Sequence, residues 1–163
     1  MPSSRIGCTQ EFLRNWFPVF LWALLIFFFS TDIFSSVNTA GAFEPILQQI
    51  FPQLTAYHIE RIHAVFRKLG HFTEYFVFGG LLWRALRLQN PGGTRSRRLV
   101  LSLAITVIYA ASDEWHQSFV PSRSASLIDV LIDTTGGLCG IWSFKLRDSA
   151  TNESVLQASS KKT

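Results

Sequence analysis

Three carboxylates set among apolar residues are the groups in this sequence best placed to do chemistry. Glu74 sits in a run from about Leu69 to Leu86, Asp113 in a run from Leu99 to about Trp115, and Asp133 in a run from Ser126 to Leu146. If each run is a helix crossing a bilayer, a rise of about 1.5 Å per residue puts all three acids about 18 to 21 Å from the inner ends. They share one level in the outer half of the membrane. A lone carboxylate in hydrocarbon costs several kcal/mol, so three acids at one depth are expected to face one another and not lipid. Spacing within each run agrees. His71 and Glu74 are three apart, Asp113 precedes His116 by three and Gln117 by four, and Asp129 precedes Asp133 by four, so each set shares one helical face.

Six of the 11 acids (Asp32, Glu74, Asp113, Glu114, Asp129 and Asp133) belong to this outer cluster or its rim, beside His71 and His116, with only Lys68 and Arg123 as nearby cations. The excess of carboxylate must be offset by retained protons, by a bound cation, or by donors such as Gln117, Ser124 and Tyr75. As chemistry, the cluster offers His71, Glu74, Asp113, Glu114 and His116 as catalytic candidates. Lys68, Tyr75, Gln117, Arg123 and Ser124 are candidate substrate contacts. Asp113, Glu114, Asp129 and Asp133 are candidate oxygen ligands for a divalent cation such as magnesium, calcium or manganese, and the two histidines keep zinc open. Arg123, just after Pro121, can clamp a phosphate or carboxylate through its planar fork, or can pair with Asp129. The plain alternative is a polar clasp that joins helices and does nothing else.

The elements that must carry these residues are membrane helices. The chain has 163 residues, 48% of them hydrophobic, with 15 Phe and 5 Trp against 3 Tyr. That is too apolar for an ordinary soluble domain and fits a bundle that meets lipid, with aromatic anchors at its interfaces. Trp16 to Phe34 is the clearest span. Arg5 and Arg14 before it and Ala40-Gly41-Ala42 after it also suit a cleaved signal peptide, but the apolar run is long for one. Residues 44 to 69 are amphipathic. One helix is expected to start at Pro45 and stop before Pro52, and a second to start at Thr55 with Ile59, Ile62, Phe66 and Leu69 on one stripe. This segment lies on the membrane interface or packs on the bundle. Tyr57, His58, His63 and Trp115 are expected at the interface. Pro91-Gly92-Gly93 turns the chain between the second and third spans, and Pro121 breaks it between the third and fourth. Gly79-Gly80, Gly136-Gly137 and Gly140 would let helices approach closely.

Eleven basic residues fall inside and four outside (Arg61, Arg67, Lys68 and Arg123) when both termini are cytoplasmic, so the positive-inside rule orients the chain N-in and C-in. The expected fold is all-α: about four transmembrane helices, with the amphipathic interfacial segment between the first and second. Residues 1–15 form a cytoplasmic segment, 16–146 the membrane domain, and 147–163 a polar, disordered cytoplasmic tail. Cys8 and Cys139 fit no metal spacing, both lie toward the inner side, and no disulfide is expected. A net charge of +4 with no basic stripe on a soluble module excludes nucleic acid as a partner.

Lys68-x-x-His71-x-x-Glu74-Tyr75, then Asp113-Glu114-x-His116-Gln117-x-Phe119-Val120-Pro121-x-Arg123, then Asp129-Val130-x-x-Asp133-x-x-Gly136 resembles the VanZ-like family of small bacterial membrane proteins over about residues 16 to 146. Asp133 stands where that family often has Asn. The resemblance implies a multi-pass protein of the bacterial inner membrane, in a family named for a member associated with resistance to the glycopeptide teicoplanin. The location of the acids then implies an outward-facing pocket that binds or modifies a lipid-linked or lipophilic envelope component. Two rivals stand beside this expectation. One is a metal-assisted hydrolase or transferase with Asp113, Glu114 and Asp129 as ligands and Arg123 on a phosphate; the other is a proton- or cation-coupled transporter, which with four spans would need a homo-oligomer. No Ser-His-Asp spacing, phosphate-cradling glycine loop or zinc signature fixes a reaction, so whether the chain is an enzyme stays open.

Overall fold

The computed structural model describes residues 3–123 and 125–160, and among these the chain is helical with no strand. In chain order the helices are α1 (Ser3–Phe29), α2 (Ser36–Ile50), α3 (Ala56–Gln89), α4 (Arg95–Gln117) and α5 (Leu127–Ser160), with a 3-10 turn at Asp32–Phe34 between α1 and α2. Two stretches are long and apolar enough to cross a membrane: Gln10–Phe29 in α1 and Leu127–Ser149 in α5. The expected second and third spans lie inside α3 and α4, whose ionisable residues dilute their hydropathy.

α3 is the centre of the molecule and packs against every other helix. Its closest neighbour is α5, because glycine removes the side chains that would hold the two backbones apart. A Cβ on Gly79 would collide with the carbonyl oxygen of Gly137, one on Gly136 with that of Phe72, and one on Gly140 with that of Phe76. Val19 and Ile26 of α1, Tyr75, Phe78 and Leu82 of α3, and Ala110 of α4 form the buried apolar core. Outside it the surface is apolar too. Leu127 is 84% exposed, Ile108 69% and Leu24 63%, a pattern that water would penalise and acyl chains would not.

Several expected boundaries move. The first span ends at Phe29, where the chain leaves the helix and turns at Asp32–Phe34. α2 starts at Ser36, nine residues before Pro45, which therefore lies inside the helix and leaves the Gly41 carbonyl without its usual helical donor. The helix predicted to begin at Thr55 does begin there, with Thr55 at the N-cap position, but runs unbroken through the segment expected as the second span, since nothing between Ala56 and Gln89 stops it. Ile59 on its predicted stripe is buried, whereas Phe66 and Leu69 are exposed. The tail predicted to be disordered from residue 147 is helical to Ser160. No Gly or Pro follows Gly140, so the helix propagates at little cost, and Trp83 Nε1 (2.8 Å) and Arg87 of α3 hold Asp148.

Candidate functional site

After α4, Ser122 and Arg123 hydrogen-bond to the end of α1 and the turn beyond it at one end of the helix bundle, and the predicted cluster assembles there. α3 presents Arg67, Gly70, His71 and Glu74 at helical spacings of three, four and seven, so one stripe faces the end of α1. α1 ends just where it can reach them. Trp22 Nε1 donates to the Glu74 carbonyl at 2.8 Å, and Tyr109 Oη of α4 donates to the Ala23 carbonyl at 2.6 Å, which ties α1 to both neighbours. Arg123, in the loop after α4, donates through one guanidinium nitrogen to the carbonyls of Phe29 (2.5 Å) and Thr31 (3.3 Å). A cation suits the Phe29 carbonyl, which is at the negative end of the α1 dipole. These elements surround a cleft of about 200 Å³ lined by Phe29, Ser30, Arg67, Gly70, His71, Glu74 and Arg123.

The acids behind the cleft divide by whether they have partners. Asp129, in the first turn of α5, receives Lys68 Nζ at 2.7 Å, so the alternative Arg123–Asp129 pair is not formed. Gln117 Nε2 donates both to Asp113 Oδ2 (3.0 Å) and to Ser30 Oγ (3.1 Å). Glu114 Oε2 accepts the Ser126 N–H at 2.7 Å and so caps the start of α5. Asp133 is different. It is 0% exposed and neither oxygen has a hydrogen bond among the described residues, although His71 Nδ1 lies 3.3 Å from its Oδ1. His71, Glu114 and Asp133 each offer one ligand atom within 4.8 Å of the others, which makes them the group best arranged to hold a metal. Of the predicted metal ligands, Asp113 and Asp129 are thus engaged with neutral or cationic side chains, and His71 joins Glu114 and Asp133 in their place.

Residues 15–148 match the VanZ/LLP1 family. The chain belongs to that family. No curated protein and no solved structure matches. VanZ/LLP1 membership suggests a membrane protein linked to glycopeptide resistance, and the two apolar helices point the same way. It names no reaction for the cleft.

Within this VanZ/LLP1 chain most predicted site residues converge, and a few do not. His71, Glu74 and Arg123 line the cleft; Asp113, Glu114, Gln117, Asp129, Asp133 and Lys68 surround it. Tyr75 is fully buried in the core against Phe78 and Tyr109 and does not line the cleft. His116 packs its ring on Phe27 with centroids 4.6 Å apart, one helical position away from the face that carries Asp113 and Gln117. Ser124 lies outside the described residues, as does the side chain of Cys8; Cys139 is an exposed free thiol. Arg67 and Ser30 line the cleft without having been singled out. For Arg67 the signal was present, since it stands four before His71 and seven before Glu74. Ser30 carried none, because nothing in the sequence shows where α1 stops. Burial, and after it the positive charge of Arg67, lowers the pKa of Arg123 from its ordinary value. Two guanidiniums that repel across a cleft favour an anion between them.

Proposed function

We propose that this is a multi-pass protein of the bacterial inner membrane, N-in and C-in, whose outward cleft binds the phosphate-bearing headgroup of a lipid-linked envelope component. α1, the second half of α3, α4 and α5 would be the four spans, with α2 and the start of α3 at the outer interface. The basic residues support this orientation: Arg87, Arg95 and Arg98 gather at the end of the bundle opposite the cleft. The observation that carries the functional reading is the convergence of Arg67 and Arg123 on one cleft that also holds His71 and Glu74. Arg67 has no ion pair among the described residues, and Arg123 Nε is buried without a hydrogen-bond partner among them. Planar guanidinium forks match phosphate geometry. Glu74 can accept from hydroxyls of the glycerol or sugar beside the phosphate. At the outer level of the bilayer, an amphiphile reaches such a cleft laterally while its chains stay in lipid.

Titration of tag-free protein in detergent with dioctanoyl phosphatidic acid, dioctanoyl glycerol and inorganic phosphate tests this by calorimetry. The lipid phosphate should bind saturably and the neutral diglyceride should not. Arg67→Ala and Arg123→Ala should each weaken binding by at least about tenfold, the scale of a lost charge-assisted hydrogen bond. Equal binding of phosphatidic acid and diglyceride, or affinity unaffected in both variants, would overturn the proposal. Tighter binding of free phosphate than of lipid phosphate would reassign the cleft to a soluble anion.

A further inference from the structure

We propose that His71, Glu114 and Asp133 form a divalent-cation site in the floor of the cleft. The three come from α3, α4 and α5, and one ligand atom of each lies within 4.8 Å of the other two. Juxtaposed acids alone would not make a site. The second observation is which atoms lack hydrogen bonds, the closest approach among them being His71 Nδ1 to Asp133 Oδ1 at 3.3 Å. Both Asp133 oxygens, Glu114 Oε1 and His71 Nδ1 are buried, and none has a hydrogen bond among the described residues. The neighbouring acids do have partners: Asp113 is bonded by Gln117, Asp129 by Lys68, and the other Glu114 oxygen by the Ser126 N–H. The orphaned atoms are thus the ones that face one another. A carboxylate buried without a hydrogen bond is costly unless a charge compensates it, and a cation placed among these atoms removes the cost.

The geometry suits an ion with short bonds. Two ligands bonded to one metal at about 2.1 Å with a tetrahedral angle stand about 3.4 Å apart. His71 Nδ1 and Asp133 Oδ1 are 3.3 Å apart. Glu114 lies within 4.8 Å of both, so it would have to close by at most about 1.4 Å, within reach of a rotation of its flexible side chain. One imidazole nitrogen with two carboxylate oxygens and no thiolate selects borderline ions, Zn²⁺ and Mn²⁺, ahead of Mg²⁺ and Ca²⁺, which prefer oxygen alone. Three protein ligands leave at least one coordination position open. His71 also lines the cleft, so that position can be reached from it, and the cleft is the route by which an ion enters. The site needs no lipid above it, and its test contains none, so it stands or falls separately from headgroup binding.

Tag-free protein in nanodiscs, stripped with chelator and titrated with Zn²⁺ and with Mn²⁺, should show one saturable site per chain at neutral pH. Asp133→Asn and His71→Gln should each weaken it by at least about 100-fold, more than the loss of a group that merely orients a ligand. His58→Gln, at an exposed position that touches Thr55 and Tyr57, should leave it unchanged. Pulsed EPR of Mn²⁺ bound to the unaltered protein should show coupling to one imidazole nitrogen, a readout that does not depend on any variant folding. No saturable binding of either ion would overturn the site and leave His71 as a protonated partner of Asp133. Binding that lacks nitrogen coupling, or that survives Asp133→Asn, would overturn it equally.

Discussion

The two ends of the bundle are built from similar residues and handle charge in opposite ways. At the end away from the cleft one carboxylate, Asp148, takes donors from Trp83 Nε1 and Arg87, while Arg98 lies over the Trp83 ring at 5.5 Å and donates to the Gly93 carbonyl at 2.9 Å. The carboxylate there is fully partnered and its effect is to hold α3 to α5, although Arg98 Nε, like Arg123 Nε, is buried without a hydrogen bond among the described residues. At the cleft end Asp133 is more deeply buried than Asp148 and has no hydrogen bond among the described residues, and two arginines share a cleft without a carboxylate among those residues ion-paired to either. An ion pair that stabilises a fold is closed on itself; a site keeps valences open for something else. The difference separates a clasp from a binding site within one set of helices, which charge counting alone cannot do.

The largest effect should come from the contact that both ends depend on. Gly140→Leu drives a side chain into the Phe76 carbonyl and should separate α3 from α5, with a loss of at least about 3 kcal/mol and of most of the protein from the membrane. Abundance and unfolding in mixed micelles measure it. A folded, abundant variant would mean that the two ends do not share a rigid core.

Asp148→Ala comes next. It strips two donors of their acceptor and should destabilise by about 2 kcal/mol, the scale of charged hydrogen bonds. Headgroup and cation binding at the other end should not change. An altered headgroup affinity would show the Asp148 end to be part of the site after all.

Asp133→Asn should have the smallest effect on stability. With chelator present, removing a buried charge that makes no hydrogen bond, without changing its shape, should leave stability within about 1 kcal/mol of the parent, or raise it. The same unfolding measurement decides it. A loss as large as that of Asp148→Ala would make Asp133 a clasp and erase the contrast between the two ends.

Residue type and period sufficed for much of this protein. An apolar run with few interruptions can only be a buried or lipid-facing helix, because unpaired backbone is too costly in hydrocarbon. Acids at helical spacing inside such runs must turn inward, which is why Glu74, Asp113 and Asp133 could be expected at one end before any coordinates. The close-packing glycines were legible for the same reason: they are small at the places where two helices have to meet. Partner choice was not legible. Whether Asp129 pairs with Arg123 or with Lys68, and whether His71 or His116 joins the acids, depends on helix rotations of a few tens of degrees and on where α1 ends. Those are set by packing across three helices. Only the tertiary structure placed Arg67 and Ser30 at the cleft, sent His116 to Phe27 and Tyr75 to the core, and left the Asp133 oxygens without a hydrogen bond, because each outcome depends on distances between residues far apart in the chain.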